Sequence, residues 1–384
     1  MKKFLDCISV VGTTPSRFQG TKKYVSTGAV ATTEIDESEV VEVTYEDRPS
    51  RANLSAEAGD ILFAKMQGTR KTLLLDSETE EHIYSTGFYA VRANPEVITT
   101  ECLYYLVDSE LFLTQKDKHC SGATQKAITN GGLAKIEIRV PPLSEQGVLT
   151  EKLRYLTQLI ADKRKQLELF DEVIKSRFIE MFGDSEHNTM NWPTAKLSTL
   201  CDVGSSKRIY QSELTENGIP FLRISDLNER IDGEYNEPQL FIPNERFDEL
   251  KTNDLVPSAG DILVTARGTL GRCYIVKAED KFYFQDGMIS WLSDISENIT
   301  SLYISELFAT TGVQKQIANL QAGSTVAYLS IAMLKKLDIM MPPKALQQQF
   351  ATFVEQIDKS KFEIQQSLEK LEILKKSLMQ QYFG

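Results

Sequence analysis

The chain has 384 residues, 41% of them hydrophobic and 25% charged, and a net charge of −11. That length exceeds one ordinary domain and suits two with additional helices. The acidic balance argues mildly against a nucleic-acid surface, because phosphate binding needs Lys and Arg, yet a local basic loop counts for more than the sum. Five scattered cysteines with no Cys-x-x-Cys pair, and only three histidines, argue against a zinc site and against a disulfide framework. Asp6 interrupts the faint signal-like start at Met1, and no apolar run is long enough to span a bilayer, so a cytoplasmic protein is expected.

Taken in order, residues 1–140 read as a mixed domain. A strand into a turn is expected at 9–15, short strands at 61–64, 73–75 and 88–92, and one helix over 101–118 with Leu103, Leu106, Leu111 and Leu113 toward the core. Acidic residues cluster over 34–47, as a solvated edge would. Residues 65–71 form a Gly-containing loop with three cations, and 119–132 a polar, Gly-rich connection. Pro141-Pro142 then stops regular structure, and 141–183 runs on without another proline. Leu153, Ile160, Leu167, Ile174 and Met181 recur every seventh residue, with Leu149, Leu156 and Phe170 in a second row. Two such rows make a coiled-coil seam on a helix roughly 60 Å long at about 1.5 Å per residue, which needs a partner helix. A polar linker, 184–193, leads into a second domain, 194–341. Pro342-Pro343 opens the last stretch, 342–384, where Ile357, Ile364, Leu371 and Leu378 form the row flanked by Phe350, Phe353, Val354, Leu368 and Leu374.

The second half copies the first. Pro141 and Pro342, Phe182 and Phe383, and Gly183 and Gly384 are all 201 positions apart. The strand-like runs from Leu133 and Leu334 keep that offset, as do Gly122 and Thr124 with Gly323 and Thr325, and Gly59-Asp-Ile-Leu62 with Gly260-Asp-Ile-Leu263. The reading is an internal duplication of a globular domain followed by a long helix. The stretch from Gly204 to Gly260 is nine residues longer than its counterpart from Gly12 to Gly59, so the core elements repeat while the connecting loops differ.

On these residues the chain resembles the specificity subunit of type I restriction–modification systems, over essentially its whole length. The resemblance rests on two domains that each carry Gly-Asp-Ile-Leu and a Gly-x-Thr element, each followed by Pro-Pro and a long helix. Met181-Phe-Gly-Asp184 and Asn191-Trp192-Pro193 are in the same style. It implies an α+β fold: two similar mixed α/β target-recognition domains, joined by two long antiparallel helices forming a coiled coil, with an internal pseudo-twofold repeat. It further implies that each domain reads one half of a bipartite double-stranded DNA target. The helices would set the half-site spacing and dock DNA methyltransferase subunits, two of them, with restriction/translocase subunits completing the complex. The candidate seam is Leu153, Leu156, Ile160, Leu167, Phe170 and Ile174 against Val354, Ile357, Ile364, Leu368, Leu371, Leu374 and Leu378.

Candidate DNA contacts follow from residue chemistry on the loops after the two Gly-Asp-Ile-Leu strands, while those at 122–126 and 323–328 are what the resemblance implies, since Gly122-Ala-Thr-Gln-Lys126 is similar to a family element placed near DNA. Arg bridges guanine, Gln bridges adenine, and Thr holds phosphate. In the first domain these are Lys65, Gln67, Thr69, Arg70 and Lys71, with Gly122, Thr124, Gln125 and Lys126; in the second, Arg267, Thr269 and Arg272, with Gly323, Thr325 and Tyr328. Lys22, Lys23, Lys207 and Arg208 suit phosphate contacts. The second copy departs from the first where Ala327-Tyr328 replaces Lys126-Ala127 and removes a cation. The loops after the strands also have a plain reading as turns with solvated charges, 122–126 as a helix-to-strand connection, and Lys22, Lys23, Lys207 and Arg208 as a surface patch.

No catalytic set is found. Neither Pro-Pro pair sits in an Asn/Asp-Pro-Pro-aromatic motif, no Walker loop is present, and Glu249-Leu-Lys251 has no suitable Asp before it. The expectation is a non-catalytic subunit with no cofactor or metal of its own; S-adenosylmethionine, ATP and Mg would belong to partner subunits. Two alternatives stand beside it: a two-domain scaffold or adaptor that binds no nucleic acid, and a recognition subunit of a simpler restriction system with a fused-enzyme partner.

Overall fold

The computed structural model describes residues 1–233, 236–321 and 327–384. The chain divides into two compact units: residues 1–165 with 364–384, and residues 166–363. Each unit therefore takes one globular domain together with part of both long helices.

In unit 1 an antiparallel sheet runs in the order Ile8–Val11, Phe88–Ala93, Ile61–Ala64, Thr72–Leu74. A second sheet runs Val41–Val43, Lys22–Val25, Ile83–Ser85, Ala52–Leu54, with Lys22–Val25 and Ile83–Ser85 parallel. Strand Ile61–Ala64 is buried on both faces, which is why it reads as a continuous apolar run without alternation. Gly59 precedes it at φ +86°, a left-handed turn that favours glycine. The Asp60 carboxylate accepts the Glu57 N–H at 2.9 Å and pairs with Arg92 on the neighbouring strand at 2.6 Å.

Unit 2 repeats the plan. Its first sheet runs Asp202–Gly204, Ile289–Ser293, Ile262–Thr265, Cys273–Ile275. Gly260 takes φ +94°, and Asp261 accepts the Ser258 N–H at 2.8 Å and the Trp291 indole N–H at 2.9 Å. The Gly-Asp-Ile-Leu element is thus a turn, a cap and a core strand in both copies. The longer stretch between Gly204 and Gly260 in the second copy holds helices Ile224–Ile231 and Asn244–Thr252.

The expected single helix at 101–118 is two helices, Thr100–Val107 and Glu110–Lys118. Ser109 interrupts it by capping the second one, its side chain accepting from the Phe112 N–H. Leu103, Leu106, Phe112 and Lys116 are buried there, while Leu111 and Leu113 are only partly so. The strand-like runs from Leu133 and Leu334 begin as short helices, Asn130–Leu133 and Ile331–Leu334, and become strand only at Glu137–Ile138 and Asp338–Met340.

The two long helices are Leu143–Phe182 and Lys344–Phe383. They run antiparallel within each unit. In unit 1 the early residues Leu149 and Leu153 share a core cluster with the late residues Met379 and Phe383, and Arg164 pairs with Glu372 at 2.7 Å. In unit 2 Phe178 meets the Phe350 ring edge-on at 5.4 Å, and Lys361 pairs with Asp171. Of the candidate seam, Leu153, Leu156, Ile160, Ile174 and Val354 are buried, while Leu167, Phe170, Ile357, Ile364, Leu368, Leu371 and Leu378 are partly buried. Leu374 is a correction: it is 53% exposed. The row Val354, Lys361, Leu368, Lys375 recurs every seventh residue, so Lys375 holds the seam position and Leu374 lies one residue, about 100°, around the helix. No described helix is long and apolar enough to cross a membrane.

A buried glutamine fixes each helix to its domain. Gln146 is 0% exposed; it accepts the Thr99 N–H at 2.8 Å and donates to Val97 O at 3.1 Å and Pro141 O at 2.8 Å. Gln347 is 1% exposed and repeats all three bonds, with Thr300 N–H at 2.9 Å, Asn298 O at 3.2 Å and Pro342 O at 2.9 Å. Removing either amide strands three backbone groups away from water. Gln146→Ala or Gln347→Ala is expected to cost about 3 kcal/mol, a fall of roughly 6–12 °C in the unfolding temperature of the affected unit. Scanning calorimetry checks this, and a shift under about 1 °C contradicts it.

Unit 2 also holds a half-buried carboxyl, Glu306, beside a cavity of about 340 Å³ lined in part by Lys175, Phe178 and Thr310. Burial is the main cause raising its pKa above 4.5; Lys361 and Lys175 oppose the rise, and Asp171 and Asp358 add to it. A raised carboxyl binds more protons folded than unfolded, so its contribution falls as pH rises through the window above 4.5. Glu306→Gln is therefore expected to raise the unfolding temperature at pH 8, with the gain shrinking as pH falls toward 5.

Candidate nucleic-acid interface

The two loops singled out in the first domain meet. Loop 65–71 leaves strand Ile61–Ala64, and the Gln67 N–H donates to Lys126 O at 3.0 Å. The Ile128 N–H donates to Lys65 O at 2.9 Å, and Met66 bridges Ala127. Sequence positions some sixty residues apart thus form one surface. Its exposed residues include Gln67, Gly68, Gly122, Thr124, Gln125 and Lys126. Gly122 is required, since it sits at φ +141° and a Cβ there would lie 2.3 Å from Gln125 O. Among the described residues the side chains of Thr124, Gln125 and Lys126 make no hydrogen bond.

The cations of loop 65–71 are largely committed elsewhere. Arg70 grips Asp108 through Nε at 2.9 Å and Nη2 at 3.0 Å and also reaches Glu110 at 3.4 Å. The Asp108 hydrogen bonds hold the Arg70 guanidinium charged. Lys71 donates to Thr27 O at 2.6 Å. Lys65 donates to Thr86 O at 2.8 Å and lies over the Tyr89 ring at 4.5 Å, and burial lowers its pKa. Thr69 is partly buried, its carbonyl turned to the protein. The Gln67 side chain donates to Asp117 O at 3.3 Å and is exposed beyond that bond.

Lys22 and Lys23 lie on the other sheet, on strand Lys22–Val25, and are not brought to these loops by any described bond. They pair with Glu81 at 3.1 Å and Glu37 at 2.8 Å, and the Glu37 bond raises the Lys23 pKa, with Glu78 and Glu42 adding to it. The acidic edge at 34–47 takes up Lys23, and Glu81 takes up Lys22, which short-range sequence patterning did not disclose.

The second domain repeats one of the loop bonds with different chemistry around it. Leu329 N–H donates to Ala266 O at 3.0 Å, the counterpart of Ile128 on Lys65. Arg267 is partly buried and stacks its guanidinium over the Tyr328 ring at 4.8 Å, so the aromatic that replaces Ala127 supports a cation. Gly268 and Thr269 are exposed beside it. Arg272 is drawn inward to Asn228 at 2.9 Å and to Asp232. Arg208 pairs with Asp286 at 2.9 Å, and the Lys207 N–H donates to the Tyr283 hydroxyl at 2.8 Å, leaving its side chain exposed. Gly323 and Thr325 lie outside the described residues.

Each domain therefore presents a turn after its central strand; in the first it is backed by a second loop with amide, hydroxyl and cationic groups outward, and in the second it carries Thr269 and Arg267. The profile of the family described as "Type I restriction modification DNA specificity domain" matches residues 12–169 and again 190–375. The chain belongs to this family. Among curated relatives, a putative type I restriction enzyme specificity subunit of Haemophilus influenzae is 28% identical over 274 residues, covering 68% of this chain and 65% of that one. The MjaVIII specificity subunit of Methanocaldococcus jannaschii is 23% identical over 64% of this chain and 60% of its own. The matched region thus spans just under two thirds of these relatives. In overall fold the chain resembles a type I restriction–modification system S subunit from M. genitalium, with a TM-score of 0.56 and 13% identity over 100% of this chain and 95% of that one. A chain from a structure of type I system assembly and conformational transition also gives 0.56, at 18% identity over 98% and 97%.

The two kinds of cation are separable by experiment. Arg70→Ala deprives a nearly buried Asp108 of its partner and is expected to destabilise the protein by about 1–3 kcal/mol, while Lys126→Ala should stay within about 0.5 kcal/mol of wild type. Urea denaturation of both variants checks this; equal stabilities would mean Arg70 is free to serve another role.

Proposed function

We propose that this chain is the DNA sequence-specificity subunit of a type I restriction–modification complex. The observation that carries the reading is the duplication itself. Two copies of one scaffold hold a turn at the same place after the central strand, and the chemistry around it differs: Gln67 with Thr124, Gln125 and Lys126 in one, Arg267 over Tyr328 with Thr269 in the other. Two readers with different side chains suit a bipartite double-stranded DNA target, one half-site each. Base-edge contacts then come from the exposed Gln, Thr, Lys and Arg, and phosphate contacts from backbone N–H groups and Lys207. Lys22, Lys23, Arg70, Lys71, Arg208 and Arg272, spent on internal partners, contribute less.

The long antiparallel helices would act as the ruler between half-sites, at about 3.4 Å of duplex per base pair along each strand. Their outer faces would dock two methyltransferase subunits, with restriction/translocase subunits joining the assembly in the cytoplasm. On this reading the chain is non-catalytic, and S-adenosylmethionine, ATP and Mg are held by the partners.

The test is selection from random-sequence duplexes, using the chain alone and co-expressed with a methyltransferase subunit. A split motif with a fixed gap is expected. Exchanging residues 1–140 for those of a relative should change one half-site, and lengthening both helices should change only the gap. Affinity should fall steeply with added salt. No enrichment at low salt in either preparation would leave the adaptor reading, which the net charge of −11 favours.

A further inference from the structure

The loop 65–71 is shaped by the last turn of helix Glu110–Lys118. Lys116 there is 1% exposed. Its ammonium donates to the last carbonyl of the strand before the loop, Ala64 at 3.4 Å, and to two carbonyls of the loop, Met66 at 3.1 Å and Thr69 at 2.7 Å. The next residue completes the grip. The Asp117 carboxylate accepts the Gly68 N–H at 3.0 Å, and its carbonyl accepts from Gln67 Nε2 at 3.3 Å. Asp117 Oδ1 also stands 3.5 Å from the Lys116 ammonium. An ammonium carries three donors, and burying it is costly unless they are used. Here the strand end and the loop that leaves it use them. Burial lowers the Lys116 pKa, and Asp117 works against that.

The device belongs to one domain only. At the equivalent positions the second domain has Ile317 and Ala318, and Ile317 is a plain core residue at 2% exposure. Its loop is held from the other side: Thr265 Oγ1 donates to Thr269 O and accepts the Arg272 N–H at 3.0 Å. The scaffold thus folds without the buried cation. What the cation adds is a particular path for residues 65–71, and with them for the 121–126 loop joined through Gln67 and Lys126.

We propose that Lys116 is a positioning residue for half-site reading by the first domain. Buried beneath the loop, it sets where Gln67, Gly68 and the adjoining loop are presented, so that the selectivity of this domain depends on a side chain that is itself out of reach of DNA. The proposal rests on the DNA-reading function argued above.

The test uses the full chain co-expressed with its methyltransferase subunit, with selection from random duplexes for wild type, Lys116→Met and Asp117→Ala. Lys116→Met keeps the stem and removes the donors. Discrimination is expected to fall about tenfold at one or more positions of one half-site, with the other half-site and the gap unchanged. Non-specific binding at low salt should keep its slope against salt. Unchanged preferences in both half-sites overturn the proposal, and so does equal loss in both, which is the mark of a general structural role. If Lys116→Met does not fold, as judged by circular dichroism, Asp117→Ala carries the test with the same expected and overturning results; its side chain is 32% exposed, and it removes the Gly68 acceptor. A wild-type protein that enriches no sequence overturns the DNA-reading function itself, an outcome distinct from a wild type that reads and a variant that reads equally well.

Discussion

One buried amide recurs at the root of each long helix, and the rest of the architecture depends on it. A 40-residue helix that begins at a Pro-Pro stop could leave its domain in many directions. Gln146 and Gln347 remove that freedom, each tying the first helical turn to the Pro carbonyl before it and to the two ends of the turn that starts the neighbouring domain helix. The three bonds are made in the core, where an unpaired backbone group is expensive, so the arrangement is close to all-or-none. A helix set at a defined angle to its domain can meet an antiparallel partner in register, and the seam residues Leu153, Ile160, Ile174 and Val354 are then buried.

That geometry makes each unit a mosaic of the sequence. Unit 1 closes its core with Met379 and Phe383 from the far end of the chain, and unit 2 with Phe178, Phe182 and Phe350 around Tyr303. The copies have diverged even here. Where unit 2 stacks aromatics, unit 1 has Met379, Leu149 and Cys102 at the corresponding positions. Register persists while side-chain size and chemistry drift, as expected of a core whose packing can be solved more than one way.

The loops show the same economy with a different consequence. Both domains place a turn after the central buried strand, but the first fastens it with a lysine from a helix and the second with a threonine from the strand itself. Charge is distributed just as unevenly between structure and surface. Arg70, Lys71, Arg272 and Arg208 look alike in a count of basic residues, yet carboxylates or carbonyls hold all four. An acidic chain can still present local positive and amide groups, because much of its negative charge is already matched inside each domain or gathered on one edge.

Much was legible without coordinates. The 201-residue offset disclosed the duplication, the seven-residue rows disclosed the helices, and Gly-Asp-Ile-Leu marked the central strand of each domain, because periodicity and turn chemistry are local properties of the chain. The glutamine clamp was within reach too, since Gln146 and Gln347 follow their Pro-Pro pairs at the same distance. Other features were not. Leu374 belongs to the apolar residues but points outward, because Lys361 and Lys375 hold the seam. Lys22 and Lys23 find carboxylates from distant segments, and Arg70 finds Asp108 at a helix break that a run of apolar residues concealed. The sequence by itself determined what the elements are and that they occur twice. Only the tertiary structure decided which cations are free, because an ion pair or a buried ammonium depends on residues brought together through space, and spacing along the chain carries no record of that.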